Sequence, residues 1–318
     1  MIINSSISEQ DYKEYSELIK QGVSQRSACD ILSLSRSSIQ RYLKKLNELN
    51  SDVDTVVNNK VITKAPNKPK VLFYDIETTL AKSYHFQQWQ VNLSQKQKIE
   101  ESHLLSVAWC WNDGDVNGDI LSQQEILEHD DERLVLKLWC LLDNADIIIG
   151  HNLKRFDNKK ANSYFLKYGL NPPSSYRTID TLQIAKSKFA LPFNNLDYIA
   201  EYLNVGRKIS TDVQLWIDCD KGNQDALDTM LQYNKQDVIV LRNVYKRLLT
   251  WGNNNVNMNT YNDDRFSCTN CGSDKVEMIT NKFVYTNTNK YLAYRCNDCG
   301  SVMRGNKHNS VSDKLVIV

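Results

Sequence analysis

The sequence predicts an α/β core between an all-α amino-terminal module and a small carboxy-terminal β module. Three observations carry this prediction. Phe73-Tyr74-Asp75-Ile76-Glu77-Thr78-Thr79 is an apolar strand ending in two carboxylates, and alternating strand-like and helical runs follow it. Ahead of it, short amphipathic helical patterns give way to a polar stretch with prolines. Behind it, two Cys-x-x-Cys-Gly segments enclose two strand-like runs. A chain of 318 residues suits two or three domains built around one sizeable α/β core.

In the first module, Tyr12, Tyr15, Leu18 and Ile19 form one helix face, closed by Gly22. Ala28, Ile31 and Leu32 mark a second short helix, and Ser35 opens a third that carries Ile39, Tyr42, Leu43 and Leu46. Helix, tight turn and helix over residues 1–46 resemble the helix-turn-helix of DNA-binding proteins, although Ser33 stands where such turns often carry Gly. The resemblance implies that Arg36 and Arg41, with Ser37, Ser38 and Gln40, face phosphates and base edges. The alternative is a small helical packing domain with a solvated basic face. Residues 47–68 read as a linker, because two prolines among lysines at Lys64-Ala65-Pro66-Asn67-Lys68-Pro69-Lys70 favour an extended, semi-rigid tether.

The central domain is expected over 69–252. Val71 to Glu77 is a buried strand, and alternation puts Asp75 and Glu77 on one face. Two like charges there repel and lose solvation, which points to a divalent cation with several oxygen ligands. A strand at Leu104 to Trp111 follows, then the turn Asn112-Asp113-Gly114 and a strand near Asp119-Ile120-Leu121. Next come a helix at Glu132 to Leu142, a strand at Ile147 to Ile149 closed by Gly150, and a helix from Asn158 to Tyr168. Asp157 lies where strand passes into helix, at the carboxyl end of the sheet, where open α/β folds build their sites. A strand around Tyr176 to Asp180 leads into helical sequence that ends with a segment from about Gln224 to Leu249. Within that segment Tyr233 and Asp237, four residues apart, share a face.

Asp75-Ile76-Glu77, Asn152-x-x-x-Phe156-Asp157 and Tyr233-x-x-x-Asp237, in this order, resemble the DEDD superfamily of 3′–5′ exonucleases in its tyrosine subtype. The likeness is to the proofreading domains of family-B DNA polymerases and their stand-alone relatives. Asn195-Leu196-Asp197-Tyr198-Ile199-Ala200-Glu201-Tyr202-Leu203 shares it, and it extends from about Pro69 to Trp251. It implies a ribonuclease-H-like mixed sheet with flanking helices. It also implies hydrolysis of nucleic acid to nucleoside monophosphates from a 3′ end, with two Mg2+ or Mn2+ ions about 4 Å apart. By the same resemblance Asp75, Glu77, Asp157 and Asp237 are metal ligands, Asp75 bridges both ions, and Tyr233 orients the attacking water. Thr78, Asn152 and Phe156 would contact the terminal nucleotide. Lys154, Arg155, Lys159 and Lys160 either hold the backbone or form a solvated helix face. Asp180 either supports the site electrostatically or caps a helix, and His151 is positional.

Cys268-x-x-Cys271-Gly272 and Cys296-x-x-Cys299-Gly300 flank strand-like runs at Val276 to Thr286 and Tyr291 to Arg295, with a turn at Asn287-Thr288-Asn289. Four thiolates in two such turns suit one tetrahedral Zn2+, and each trailing Gly relieves a tight turn. Nothing stays open for substrate, so this ion would be structural. Residues 262–305 resemble a zinc ribbon. Two disulfides are disfavoured without a secretion signal, and a redox pair needs only one Cys-x-x-Cys. Cys29, Cys110, Cys140 and Cys219 stand singly in apolar or helical patterns and are expected to be buried.

Composition narrows the rest. Hydrophobic residues at 41% and charged ones at 24% are those of an ordinary soluble protein, and no apolar run reaches the length of a membrane span. The start, Met1-Ile2-Ile3-Asn4-Ser5, lacks a basic and apolar leader, so the expected location is the cytoplasm of a bacterial or phage-infected cell. A net charge of +1 leaves the partner open, since a basic binding face can coexist with an acidic site. The flanking modules favour DNA over RNA as partner, and replication or repair proteins are further candidates. Two rival readings are a structure-selective endonuclease of the same fold and a DNA-binding regulator with an inactive nuclease domain.

Overall fold

The computed structural model describes residues 68–86, 89, 92–252, 256–261 and 266–308, together with 14, 15, 17, 28, 31, 32 and 34. Arg36 and Arg41, nearly all of the expected helix-turn-helix and the linker lie outside the described residues.

The sheet is built around β1 (Val71–Thr78), which is hydrogen-bonded on both edges. Two short strands follow, β2 (Lys82–Ser83) and β3 (Lys98–Glu100), paired with each other. Then come β4 (Leu104–Trp111) and β5 (Asn117–Ile120), joined through Asn112, which takes a φ of 51° in the turn expected there. Helices α1 (Gln123–Leu127) and α2 (Glu132–Asp143) precede β6 (Ile147–Gly150). Helix α3 (Asp157–Lys167) leads to β7 (Arg177–Asp180). Helices α4 (Thr181–Lys188), α5 (Leu196–Tyr202), α6 (Val213–Asp220) and α7 (Gln224–Leu248) complete the domain. The five-stranded order is β5-β4-β1-β6-β7. β1 runs antiparallel to β4 and parallel to β6, so the mixed sheet expected from the sequence is the one observed.

The alternation along β1 divides the core. Leu72, Tyr74 and Ile76 pack with α2 and α3 side chains such as Leu138, Ala161 and Phe165. Phe73 points to the opposite layer, against Ile149, Ile199, Val240, Val244 and Tyr245. Each fully buried Leu or Ile contributes about 1.5–3 kcal/mol, and Leu72, Ile147, Ile148 and Ile149 are all at 0% exposure. Asp75 and Glu77 share the face of Phe73, so they extend the layer that α7 covers. Helix α7 is 25 residues long and is capped by Asn223, which accepts from the Ala226 amide at 3.1 Å. Its buried residues, including Leu227, Met230, Tyr233, Asn234, Asp237, Leu241 and Val244, recur every three or four positions.

The carboxy-terminal module is a separate three-stranded antiparallel sheet of β8 (Val276–Tyr285), β9 (Lys290–Cys296) and β10 (Val302–His308). The third strand adds to the two expected ones and runs to His308. It escaped the sequence pattern because Val302-Met303-Arg304-Gly305-Asn306-Lys307-His308 is polar with an internal Gly. One cysteine expectation needs correction. Cys110 and Cys219 are buried, but Cys140 is exposed, since it lies on the outer side of the amphipathic α2. Among the described residues no helix is long and apolar enough to cross a membrane.

Candidate active site

The three acidic side chains from the first and last elements of the sheet domain meet. Ligand oxygens of Asp75, Glu77 and Asp237 all lie within 4.8 Å of one another. Asp75 and Glu77 come from the end of β1, where pairing with β4 slips between Glu77 and Thr78. A slip of this kind twists the strand and re-aims its side chains. Asp237 is 1% exposed, and its Oδ1 is buried without a hydrogen-bond partner among the described residues. A buried, unpaired carboxylate oxygen beside two more carboxylates is costly, and a bound divalent cation would satisfy all three. The residues therefore fit a metal.

Asp157 stands outside that trio at the first residue of α3, 3% exposed. It still acts on the group, because its charge is among those raising the Asp75 pKa. Burial raises Asp157 to about 7, against hydrogen bonds from its own and the Ile76 backbone. Burial is also the main cause for Asp75, which is pushed well above the usual carboxylate range, with Asp157, Glu77 and Asp237 adding to it. Glu77 is raised to about 8 by burial first and the Asp237 charge second. The site is thus a set of carboxyls that take up protons unless a cation balances them.

Three residues without a role in the sequence motifs complete the constellation. Lys208 donates to Asp237 Oδ2 at 2.5 Å and lies 5.6 Å from the centre of the Tyr233 ring. Burial works against its charge, but Asp237 and Asp75 outweigh that and raise its pKa. Asn234, fully buried, donates to Asp75 Oδ2 at 2.7 Å and accepts from the Ser106 hydroxyl at 2.9 Å, so β4 fixes the orientation of Asp75 through α7. Trp216 of α6 acts on Glu77 against the upward shift of its pKa and meets the Tyr233 ring edge-on at 5.8 Å. Tyr233 lies one helical turn from Asp237 on the same buried face, and burial lifts its pKa to about 12. Asn234 sits inside the Tyr-x-x-x-Asp segment on the buried face. Lys208 lies in the connection between α5 and α6, where no periodicity points to it.

The turn after β6 holds the second motif. Gly150 is required there, since a Cβ would stand 2.3 Å from Leu153 Cγ in the core. Asn152 takes a φ of 70°, and its amide donates to Asp180 Oδ1 at 2.9 Å. The same Asp180 oxygen accepts from the Leu182 amide at 3.0 Å, so Asp180 caps α4. Its charge also contributes to raising Asp157, which joins the two roles the sequence left open. His151 bridges the Thr181 hydroxyl and the Asn194 carbonyl, both at 2.9 Å, a positional role. Phe156 is exposed at 43% directly before Asp157, and Thr78 and Asn152 are half-buried nearby in sequence to the acidic residues.

The cysteines of the small sheet form the second cluster. All four sulfurs lie within 4.8 Å, with Cys268–Cys299 and Cys271–Cys296 at 3.6 Å each. The two turns are alike. Gly272 and Gly300 take φ values of 76° and 74°, and their amides donate to the Cys268 and Cys296 carbonyls at 2.9 Å. The Cys268 thiol is held low, at about 5, chiefly by hydrogen bonding from Cys271. Four converging sulfurs in paired turns suit a metal ion.

A sequence-family model described as the RNase_H superfamily matches residues 72–249. No curated protein matches the chain. Among solved structures, the chain is similar to the family B DNA polymerase from the hyperthermophilic archaeon Pyrobaculum calidifontis, at 16% identity and a TM-score of 0.44. That similarity covers 57% of this chain and 25% of the polymerase.

Proposed function

The chain belongs to the ribonuclease H superfamily, and from that premise we propose that it is a metal-dependent 3′–5′ exonuclease that degrades DNA to nucleoside monophosphates. One observation carries the reading: Asp75, Glu77 and Asp237 converge on a buried, unpaired Asp237 oxygen, with Tyr233 one helical turn away. Asp75, Glu77 and Asp237 would hold divalent ions, with Asp157 adjoining. Bound Mg2+ or Mn2+ would polarise the attacking water and neutralise the leaving oxygen.

The remaining steps belong to the protein. Tyr233, with its pKa near 12, keeps its proton at neutral pH and so orients water instead of deprotonating it. Trp216 and Lys208 hold its ring beside Asp237. Lys208 offsets one carboxylate charge, and Asn234 keeps Asp75 in one orientation. The exposed Phe156 ring offers a stacking surface for a terminal base, with Asn152 and Thr78 as polar contacts. One structural Zn2+ in the cysteine cluster and a DNA-holding role for Arg36 and Arg41 complete the reading.

A 5′-end-labelled single strand incubated with Mg2+ or Mn2+ tests it. A ladder of products shortened one nucleotide at a time from the 3′ end is expected, on DNA in preference to RNA. A single internal product means an endonuclease, and no cleavage means a binding protein.

A further inference from the structure

Glu100, His103 and His129 meet outside the carboxylate cluster. Glu100 ends β3, His103 precedes β4, and His129 lies in the corner between α1 and α2. His103 Nε2 and His129 Nδ1 are 3.2 Å apart. Glu100 Oε1 is 3.1 Å from the His129 nitrogen and 3.6 Å from the His103 nitrogen. A tetrahedral ion with bonds of about 2.0–2.1 Å spaces its ligands about 3.3–3.4 Å apart. The three edges straddle that value. The cysteine cluster behaves alike, with sulfur pairs at 3.6 Å, where Zn–S bonds of about 2.3 Å call for about 3.8 Å.

A further observation points to a ligand. Glu100 Oε1 is buried and makes no hydrogen bond among the described residues, while Lys82 holds Oε2 at 2.9 Å. Lys82 also pairs with Asp220 at 2.6 Å, so its charge is balanced from the other side. The free oxygen is thereby turned toward two ring nitrogens with nothing else to satisfy it. His129 presents its ring from the left-handed turn that closes α1, where the Asp130 amide reaches the Glu125 carbonyl at 2.9 Å and the His129 amide the Ile126 carbonyl at 3.1 Å.

We propose that Glu100, His103 and His129 form a further metal site, which takes a divalent transition ion of the zinc class through two nitrogens and one oxygen. Imidazole ligands favour such ions over Mg2+, which sets this site apart from the all-carboxylate cluster. A fourth position stays open, as in three-ligand zinc sites. Thr79 and His103 exchange two hydrogen bonds, Thr79 amide to His103 carbonyl at 2.9 Å and His103 amide to Thr79 Oγ1 at 2.8 Å. The ion therefore ties β3, the start of β4 and the α1–α2 corner to the end of β1.

A Co2+ titration of the full-length protein, with Zn2+ retained at the cysteines and Mg2+ in excess, tests the site. The wild type should take up one Co2+ with the visible d–d absorption of a nitrogen–oxygen tetrahedral site and no sulfur charge-transfer band. His129→Ala removes a half-exposed ligand and should weaken this uptake by more than about 100-fold, beyond what losing a supporting partner costs. Glu100→Gln, nearly isosteric, should do the same and decides the matter where the histidine variant does not fold. Asp75→Asn should leave the absorption unchanged. No such absorption in the wild type overturns the proposal, as does full-strength uptake in the folded variants or its loss in Asp75→Asn.

Discussion

The carboxylate cluster and the cysteine cluster are both built to receive cations, yet they stand in opposite relation to the structure around them. Asp75, Glu77 and Asp237 are held by a core that is complete without them, two apolar layers with Leu72 and Phe73 at their centres. Their mutual repulsion is a load on that core. The cysteine turns have little around them: among the described residues 266–308 the buried apolar ones are Cys268, Tyr291, Ala293 and Cys296. There the ligands are the core. Ion binding should therefore change chemistry in the first region and folding in the second.

The largest expected effect lies on the chemical side of this contrast. Asp75→Asn should lower nuclease turnover by about 10³-fold or more, since it removes charge where the transition state needs a cation, while thermal unfolding stays close to wild type. Residual activity within tenfold of wild type would break the assignment. On the folding side, Cys268→Ser or exhaustive chelation should unfold residues 266–308 outright. The amide signals or proteolytic resistance of that segment should vanish while those of the sheet domain persist. A ribbon that keeps its dispersed signals without metal would dissolve the comparison.

A smaller effect sharpens it. Folded Glu77 keeps a proton up to about 8, against an ordinary value of 4.5. A carboxyl raised in this way favours the folded state below the ordinary value, and the advantage declines as pH climbs from about 4.5 to 8. In chelator, Glu77→Gln should therefore stabilise the protein by about 1–2 kcal/mol at pH 8 and by nothing at pH 4. Urea denaturation at the two pH values measures it, and equal stability at pH 8 would mean that the cluster is not under strain. Tyr233→Phe should cost about 10- to 100-fold in turnover through misplaced water, with a pH–rate profile unchanged below pH 9. A shifted alkaline limb would make Tyr233 a base. Deleting residues 1–46 should leave hydrolysis of a short single strand unchanged and should reduce the salt dependence of binding to duplex-containing substrates. Loss of single-strand hydrolysis in a folded truncation would put that module inside the active site.

Much of the sheet domain was legible because its elements carry strong periods. Val71 to Glu77, Leu104 to Trp111 and the α7 segment from Gln224 were readable from alternation and from i, i+4 spacing, and their observed bounds differ from the expected ones by a residue or so. The carboxylates followed, since alternation alone puts Asp75 and Glu77 on one face. What stayed hidden was what depends on tertiary proximity. Lys208 approaches Asp237 from a connecting segment, and Glu100 and His129 are 29 positions apart. The β2–β3 pair escaped because strands of two and three residues are too short to show a period. Cys140 was misjudged because one sulfur on an amphipathic helix carries no sign of which way it faces.

Helix α7 runs on into a tighter turn over Leu249–Trp251 that does not finish itself. The Leu249 carbonyl accepts from Asn270 Nδ2 at 2.9 Å, the Thr250 carbonyl accepts from the Ser301 hydroxyl at 3.2 Å, and the Thr250 hydroxyl donates to the Cys299 carbonyl at 2.7 Å. The helix that carries Tyr233 and Asp237 thus borrows its terminal partners from cysteine turns translated later. On the ribosome the sheet can close as soon as α7 emerges, because domains fold as units from the amino end. The end of its longest helix must still wait for about fifty more residues to be synthesised before its carbonyls leave water.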